Sequence, residues 1–412
     1  MASLSESPSA AHGISKASLD ALIAARGEGA IPAQMRYDAL ARFEELPVRQ
    51  ALKGGRDWKH DLAKLDLSAT RPAGEPLVAT IAADLGARGA LVTPFDSART
   101  AQAGAFTALF GRAVDTRDDK FASLALAFQQ GGAFVWIPEG VQIEEPIRIS
   151  YALTGGRFPY TLIGLGRGAS ATVVEHFAGD ASGANFACGI CELVLGEGAT
   201  LHYAVDQRTD ASAKTIFTRR AALGRNANLF FATAELGAEH AVERVRINAA
   251  EPGSSTEVTG FFFAAGDQHV DLASEVIHAA AATRSQTLIR SAGTDRGQGR
   301  YYGNIKILPN AHGADARLRD DALLLSEKAH VDSVPALEIA ANDVKAYHGA
   351  TVGAISADEI FYAQTRGLSR SEAERMIALG FFEPAIARFP TEALREELRH
   401  ALEAKFHATA ET

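Results

Sequence analysis

The pentapeptide Leu165-Gly-Arg-Gly-Ala169 recurs as Leu195-Gly-Glu-Gly-Ala199 and again as Leu223-Gly-Arg-Asn-Ala227, at spacings of 30 and 28 residues. The glycine or asparagine in its fourth position suits a turn that needs a positive φ angle. Each copy is followed by a short β-rich stretch, the first of which is Thr172-Val-Val-Glu-His-Phe177. A turn signature that repeats at this period, with strands between its copies, is typical of a stacked solenoid.

Strand-like sequence surrounds the repeats. From Ala133 onward the hydrophobic period is two, and Phe134–Pro138 and Val141–Ile149 are predicted strands. No long helical pattern interrupts this region, which disfavours the crossover helices of a doubly wound sheet. The pattern therefore favours a parallel β-helix, in which each coil covers the edge of the one before it, and leaves a β-sandwich as the alternative.

The period of the hydrophobic pattern divides the chain into three regions. Residues 1–131 are predicted to be mostly helical after a disordered lead-in at 1–15, with helical spacing at Ala33–Leu46 and Asp119–Phe128. Gly131-Gly132 is predicted to break the chain. The β-helix core is predicted at 132–354, and a helical C-terminal domain at 355–412.

Helix signals return after the predicted core. Ser356-Ala-Asp-Glu359 and Ser369-Arg-Ser-Glu372 have the spacing of a capping box, and Gly367 and Gly380 are the predicted helix ends. A last helix is predicted after Pro390. Its apolar stripe favours core packing, with a partner surface as the alternative, and consists of Leu394, Leu398, Leu402 and Phe406.

Composition excludes several classes of protein. The 412 residues are 47% hydrophobic and 22% charged, and a net charge of -9 argues against a nucleic-acid binder. There is no apolar run of about 18 residues, so no transmembrane helix is expected. Met1–Ser15 lacks the basic and apolar regions of a secretory signal, and two cysteines cannot form a disulfide framework. We therefore expect a cytoplasmic protein.

The familiar catalytic motifs are missing. The chain has no Walker A sequence, no Gly-x-Ser-x-Gly elbow and no His-Glu-x-x-His helix. Cys188-Gly-Ile-Cys191 lies in a strand context, where residues three apart point to opposite faces, so we interpret both cysteines as small buried hydrophobes. A β-helix carbohydrate-active enzyme would need paired acids on one face. Glu139, Glu144 and Glu145 are more simply explained as turn residues.

Five histidines are candidate metal ligands. Four fall in strand-like segments, where a surface or core role is the more common one: His176, His202, His269 and His278. The fifth, His348, is followed by a glycine that leaves open space around the imidazole, and it lies between an apolar segment and a predicted glycine-rich turn. A neutral imidazole suits iron or zinc. Spacing alone still favours a structural role for His348.

Four stretches of the chain resemble the SufB/SufD family of iron–sulfur cluster assembly proteins. They are Leu323-Leu-Leu-Ser326, Pro335-Ala-Leu-Glu-Ile339, Asn342-Asp-Val-Lys-Ala-Tyr-His-Gly-Ala-Thr-Val-Gly353 and Phe361-Tyr-Ala-Gln-Thr-Arg-Gly367. Upstream, Arg56-Asp-Trp-Lys-His60 resembles a tryptophan–lysine motif of the family, and Lys120–Phe128 with Pro138–Val141 resembles the entry to its core. Glycine follows His348 where SufB-like chains have glutamate, so the SufD branch is the more similar one.

The resemblance implies a right-handed parallel β-helix between two helical domains, and a scaffold subunit that is not itself an enzyme. It implies pairing with a SufB-like subunit through the β-helix, and binding of a SufC-type ATPase through the C-terminal helices. His348 would be the ligand that this chain offers to a transient iron–sulfur cluster, with thiolates supplied by the SufB partner. Reduced flavin is associated with the family complex, and no residue here is assigned to it.

Two positions depart from the family pattern. Ala346 stands where many relatives have a cysteine two residues before the histidine, and Leu318 stands where glutamine is usual. Open β-helix edges would also permit a homodimer of the isolated chain. A self-contained SufB-like cluster carrier is a further alternative, although Cys188 and Cys191 are the only thiols it could use.

Overall fold

The computed structural model describes residues 13–47, 62, 65–68, 70–72, 77–82, 89–115, 117, 119–179 and 185–410. The predicted motif Arg56–His60 and most of the predicted lead-in lie outside these residues. Ser15, the last residue of that lead-in, is the N-cap of the first helix, because its hydroxyl accepts a hydrogen bond from the Ser18 amide.

The N-terminal region contains five helices and three short strands within the described residues. Two of the helices confirm the predicted ones, and Asp119 caps the last of them by accepting from the amides of Phe121 and Ala122. The elements are α1 (Lys16–Arg26), α2 (Ala30–Glu45), β1 (Leu77–Val78), β2 (Thr80–Ala82), β3 (Leu91–Pro94), α3 (Phe95–Ala101), α4 (Ala103–Leu109) and α5 (Lys120–Phe128).

The central region is a long series of strands joined by turns. The first strands are β4 (Gly131–Ile137), β5 (Ile147–Leu153), β6 (Gly156–Arg157), β7 (Pro159–Leu165), β8 (Ser170–Gly179), β9 (Phe186–Leu195), β10 (Thr200–Arg208), β11 (Lys214–Leu223) and β12 (Asn228–Glu235). The later strands are β13 (His240–Ala249), β14 (Ser255–Ala264), β15 (His269–His278), β16 (Arg284–Gly293), β17 (Gln298–Ile307), β18 (Ala314–Leu324), β19 (His330–Ile339) and β20 (Val344–Ala354).

These strands alternate between two sheets. Sheet A runs β4-β7-β9-β11-β13-β15-β17-β19, and sheet B runs β5-β8-β10-β12-β14-β16-β18-β20. Within each run every pairing is parallel, and each strand pairs with the equivalent strand of the next coil. The chain is therefore a parallel β-helix of about eight coils, which confirms the predicted fold and excludes the sandwich.

The repeated pentapeptide is the turn that carries the chain from sheet A to sheet B. Its fourth residue has φ of 62° at Gly168, 65° at Gly198 and 55° at Asn226. The next three turns on this edge keep a positive φ at Gly253, Ala282 and Gly313, although their sequences no longer match the repeat. The geometry therefore continues beyond the part of the repeat that the sequence reveals, because a turn constrains backbone angles more tightly than it constrains residue type.

Two predicted boundaries need adjustment. The change from helix to strand falls at Gly131-Gly132 as predicted, since α5 ends at Phe128, but the two glycines are the first residues of β4. A side chain at Gly132 would collide with the Tyr160 backbone, so glycine is needed there for close strand pairing. The predicted strand Val141–Ile149 begins only at Ile147, because the preceding residues form the turn between the sheets.

Charged side chains are buried in the first half of the solenoid interior. Arg219 Nη1 lies 2.7 Å from Glu175 Oε2, and Arg219 Nε lies 2.8 Å from Glu243 Oε1. Tyr203 donates a hydrogen bond to Glu175 as well. Burial raises the pKa of Glu243 to about 7, even though the guanidinium of Arg219 lowers it. One cation is therefore shared by two buried carboxylates, and the raised pKa of Glu243 favours its neutral form.

Three helices follow the solenoid: α6 (Ala357–Thr365), α7 (Arg370–Ile386) and α8 (Glu392–Ala410). The predicted stripe of α8 is core packing, since Leu394, Leu398 and Leu402 are fully buried against the outer face of sheet B. The fourth member of the stripe, Phe406, stacks on Phe263 with ring centroids 4.5 Å apart. Sheet B therefore has an apolar cover of helices along part of its outer face.

The predicted helix ends are partly right. Ser369 and Glu372 form the predicted capping box, whereas Ser356 caps α6 through the Asp358 amide. The stop predicted at Gly380 is wrong, because α7 continues to Ile386. Phe382 and Ile386 are buried in the same apolar cluster as α8, so packing against sheet B outweighs the low helix propensity of glycine.

Replacing Arg219 with methionine is expected to destabilise the fold strongly. The substitution leaves Glu175 and Glu243 buried without their cation, and breaking a buried pair in this way costs about 3–5 kcal/mol. Chemical denaturation measures the loss. Arg167→Met, which removes an exposed partner of Glu139, is the matched control and should leave the denaturation midpoint unchanged. Equal midpoints for both variants would contradict this account.

Lys405 links α8 to the solenoid, and its burial is expected to make the stability of the fold depend on pH. Its Nζ donates to the backbone oxygens of Leu236, at 2.6 Å, and Phe263, and burial lowers the pKa of this lysine to about 7. The unfolded chain therefore binds more protons than the folded chain above pH 7, so this group makes stability rise with pH up to its ordinary pKa.

Lys405→Met removes that rise. We expect the melting temperature of the variant to drop further below that of wild type as the pH is raised from about 6 to about 9.5. Differential scanning fluorimetry across this range measures the difference, with the exposed Lys328→Met as the control. If the difference in melting temperature does not change with pH, the pKa of Lys405 is not lowered in the folded chain.

Candidate functional site at the open end of the β-helix

The last coil of the solenoid has no neighbour on one side. β19 pairs only with β17 and β20 only with β18, so within the described residues their outer backbone edges are unpaired. Unpaired edges of parallel strands are templates for another chain. The C-terminal end of the β-helix is therefore a place where a partner can dock.

Apolar side chains that should be inside the solenoid are exposed at this end. Ile339 is 45% exposed and Val352 is 48% exposed, whereas their register partners one coil earlier, Ile307 and Ala322, are 1% and 4% exposed. The same inward-facing position is thus buried in one coil and open in the next. A covering surface would remove these apolar groups from water.

His348 lies on this open coil. It is in the middle of β20 and not beside a turn, so the predicted glycine-rich turn is wrong. Its register partner is Leu318, a member of the solenoid core, which places the imidazole on the interior face of the strand. The side chain is exposed, so the imidazole has open space around it. The free space at Gly349 lies on the opposite face of the strand, so the glycine is not its source.

The two departures from the family pattern lie close to His348. Ala346 is two residues earlier, so it shares the interior face with His348, and it packs partly buried against the core. Leu318 lies beneath His348, and its Cδ1 occupies the space that a side chain at Gly303 would need. The interior face of this coil therefore offers an imidazole but no sulfur, over an apolar floor.

The opposite face of β20 is engaged with the preceding strand. Thr351 Oγ1 donates to Asp321 Oδ1 at 2.6 Å, and the guanidinium of Arg317 lies 6.0 Å from the Tyr347 ring. Tyr347 and His348 point to opposite sides because neighbouring residues on a strand do. The outer face thus holds the strand in place, and the inner face is available to a ligand or a partner.

Both cysteines are buried side chains away from the open end, in agreement with the prediction that they are small buried hydrophobes. Cys188 faces α5 and donates to the Phe121 carbonyl at 3.3 Å, while Cys191 belongs to the solenoid interior. Both are buried, and burial raises the pKa of each thiol well above its ordinary value. Neither thiol is a reactive thiolate or a ready metal ligand.

The other predicted candidates are not brought to His348. His176 bonds Asp206, His202 stacks on Phe230, His269 contacts His240, and His278 lies between Thr283 and Ser285. Glu139 pairs with Arg167 in the exposed turn where it was predicted, and Glu144 and Glu145 are exposed near it. Across the described residues, no three His, Cys, Asp or Glu side chains form a group that could hold a metal ion.

One residue of this region was missed from the sequence. Asp320 is fully buried on β18, and neither of its carboxylate oxygens has a hydrogen bond of normal geometry to the described residues. The signal was the pair Asp320-Asp321, because two adjacent acids in a strand must point to opposite faces and one of them must therefore point inward.

A second exposed apolar surface lies on the C-terminal helices. Seven large apolar side chains are exposed in the described part of the chain. Three lie on the last coil, and Met35 lies on α2. The other three lie on the C-terminal helices and are together called the helix patch: Phe361 and Tyr362 on α6, and Met376 on α7. Exposed large apolar side chains on consecutive helices mark a candidate surface for protein contact.

Comparison with known proteins gives the family context. The family model described as "SUF system FeS cluster assembly, SufBD core domain" matches residues 149–381, which include His348 and Asp320. The chain is 27% identical over 313 residues to the iron-sulfur cluster assembly protein SufB of Bacillus subtilis, covering 75% of this chain and 67% of that protein. An iron-sulfur cluster assembly SufBD family protein of Staphylococcus saprophyticus is 26% identical over 309 residues, covering 74% and 66%.

None of the helices in the described residues has the length and apolar character needed to cross a bilayer. The family model covers more than half of the chain, and the matched segment is the β-helix with its open end and the start of the C-terminal helices. The chain therefore belongs to the SufBD family of iron–sulfur cluster assembly proteins.

Proposed function

We propose that this chain is a non-catalytic, SufD-like scaffold subunit that contributes His348 to the site where a nascent iron–sulfur cluster forms. The observation that carries the proposal is the exposed imidazole on the interior face of an open coil that has no thiol. The buried cysteines argue against a self-contained SufB-like carrier, because thiolates are the principal ligands of such clusters. The region boundaries 1–131, 132–354 and 355–412 stay a prediction.

The open end is the surface that we assign to a SufB-like subunit. A second β-helix could extend both sheets across the free edges of β19 and β20 while covering Ile339 and Val352. Main-chain hydrogen bonds between the two β-helices would then contribute affinity, and burial of Ile339 and Val352 would add hydrophobic stabilisation. In the absence of that subunit, the same features favour a homodimer of this chain.

The cluster is the cargo of this site. Thiolates from the partner and one imidazole from this chain make a mixed ligand set, and His348 would lie at the centre of the interface. A cluster divided between two chains is released when the interface opens. This arrangement suits transient assembly better than a site with all ligands in one chain. Reduced flavin has no residue assigned to it here.

The helix patch is the surface that we assign to a SufC-type ATPase. α7 and α8 are packed on sheet B through a large apolar cluster, and Glu397 of α8 lies 3.1 Å from Arg148 of β5. A force on α6 and α7 would therefore be passed to the sheet that ends in β20. Because both thiols are reduced and buried, a reducing compartment suits the chain, and we place it in the cytoplasm.

Two surface substitutions should separate the two partners. Val352→Asp puts a charge on the open end and is expected to abolish capture of a SufB-like subunit while keeping the ATPase. Phe361→Asp in the helix patch should weaken capture of the ATPase. Anaerobic pull-down from the native extract, with mass spectrometry, measures both. Met35→Asp alters an exposed apolar residue elsewhere and should retain both partners.

If both test variants still capture both partners, the assigned surfaces are wrong. Recovery of the wild-type chain alone would remove the scaffold proposal itself.

The variant His348→Ala should show whether the imidazole is a cluster ligand or a structural part of the interface. The imidazole is exposed, so the variant is expected to fold and to bind its partners as wild type does, while cluster assembly falls at least tenfold. Assembly on the reconstituted complex is followed by absorbance and circular dichroism of the cluster. His330→Ala, on the neighbouring strand β19, is the matched control and should assemble normally. A variant that fails to pair would assign His348 to the interface instead.

A further inference from the structure

A pocket of about 260 Å³ lies among the N-terminal helices. Its lining comes from α2, α3, α4 and α5, together with the residues that follow α4 and α5. Phe106 in this lining packs on Phe134 of β4, with ring centroids 5.9 Å apart, so the pocket lies beside the first coil and far from the open end. The segment that the family model matches begins at residue 149, so the pocket also lies outside that segment.

Three phenylalanine rings form the aromatic part of the lining. The centroid of the Phe106 ring is 5.1 Å from that of Phe95, edge to face, and 5.3 Å from that of Phe110, stacked. Phe95 and Phe106 are buried, and Phe110 is half-buried. Aromatic rings attract one another at these spacings through the charge distribution of their faces and edges. A further ring in the pocket can join the group, so the lining suits a flat aromatic ligand.

The buried polar side chains of the lining are already engaged. Arg36 donates to the Ala127 carbonyl at 2.8 Å and to Gln129 Oε1 at 3.3 Å. Its Nε lies 2.6 Å from Glu28 Oε2, so a carboxylate already accompanies this guanidinium. This part of the lining is held in place by its own contacts, and a charged ligand must be recognised elsewhere in the pocket.

Arg99 is the cation on the exposed side of the pocket. Its side chain is 33% exposed, and its Nη1 lies 4.0 Å from Asp96 Oδ1, which is too far for a hydrogen bond. The other oxygen of Asp96 pairs with Arg26 at 2.7 Å. Three guanidinium groups of this network therefore share two carboxylates, which leaves one positive charge in excess. The groups are Arg26, Arg36 and Arg99 against Glu28 and Asp96.

The mouth of the pocket explains an exposed apolar side chain that belongs to neither of the assigned partner surfaces. Met35 is 43% exposed and lines the pocket together with the exposed Thr107. A methionine adapts its shape to what it covers, and an occupant would remove it from water. The volume is near the lower end of the range for small-molecule pockets, which is about 300–1,000 Å³, so the ligand must be small.

We propose that this pocket binds a small aromatic carboxylate, with its ring against Phe95, Phe106 and Phe110 and its carboxylate on Arg99. A guanidinium can hold a carboxylate through two parallel hydrogen bonds, which fixes the direction of the ligand as well as its charge. A neutral aromatic molecule would gain only the ring contact, and an aliphatic acid would gain only the ion pair. The proposal does not rest on the scaffold function.

The test is isothermal titration calorimetry of the full-length chain with 2-naphthoate and with its uncharged analogue 2-naphthamide. We expect one molecule of 2-naphthoate to bind per wild-type chain. Arg99→Gln should weaken 2-naphthoate binding about tenfold and leave 2-naphthamide binding unchanged, because only the carboxylate uses the guanidinium. Arg112→Gln removes an exposed arginine outside the lining and is the matched control, which should bind both molecules as wild type does.

Hexanoate, which keeps the carboxylate without the ring, tests the aromatic part of the proposal and should bind about tenfold more weakly than 2-naphthoate. Arg99→Gln is expected to fold, because the side chain is partly exposed and Asp96 keeps Arg26 as its partner. Its melting temperature checks this. Wild type that does not bind 2-naphthoate, or Arg99→Gln that binds it as tightly as wild type, would overturn the ligand site. Equal binding of hexanoate would overturn the aromatic class.

The anaerobic pull-down separates this proposal from the scaffold function. If Arg99→Gln retains every partner while 2-naphthoate binding falls, the pocket is a small-molecule site. If Arg99→Gln loses a partner, the pocket is a protein contact and the ligand proposal is wrong. Wild type that binds 2-naphthoate but captures no partner would remove the scaffold function and leave the ligand site standing.

Discussion

The rest of the structure depends on the hydrogen-bond ladder between successive coils. Each parallel strand satisfies one edge with the coil before it and the other with the coil after it, so a β-helix always has two ends to cover. At the N-terminal end, β1 and β3 pair with β4, and β2 pairs with β5. At the C-terminal end, the described chain places nothing on β19 and β20. This asymmetry leaves one end of the ladder covered and the other open within the described residues.

Charge inside the solenoid follows the same asymmetry. In the closed half, Arg219 lies between Glu175 and Glu243 and supplies one positive charge to the two carboxylates. In the open half, Asp320 has no cation on its side of the sheet. Burial raises the pKa of Asp320 to about 7, so protonation lowers the cost of keeping this carboxyl in the interior.

The C-terminal helices add stability and a second surface. α7 and α8 bury apolar side chains against the outer face of sheet B, and Lys405 reaches back to the carbonyls of Leu236 and Phe263. The residues of the helix patch stay exposed. Because sheet B ends in β20, the helices and the open end are connected through one continuous ladder.

Local signals in the sequence were enough for the architecture. Turns with positive φ at Gly168, Gly198 and Asn226 recur at the period of one coil, and strands with a period of two lie between them, so the parallel β-helix was predictable. The helix starts at Ser356 and Ser369 were predictable for the same reason, because a cap depends on three or four adjacent residues. His348 was identified by its sequence context, and its role still stands as a prediction.

Short-range patterns therefore predicted the coil, its period, the helix starts and the opposite facing of Cys188 and Cys191. Long-range contacts decide that α7 continues through Gly380, that His348 lies in mid-strand on the open coil, and that Asp320 is buried on the preceding strand of the same sheet. The physical reason is the distance along the chain over which each feature is decided. Turn angles and caps depend on neighbouring residues, whereas burial and exposure depend on which coil lies above and which helix packs alongside, and those contacts join residues far apart in the chain.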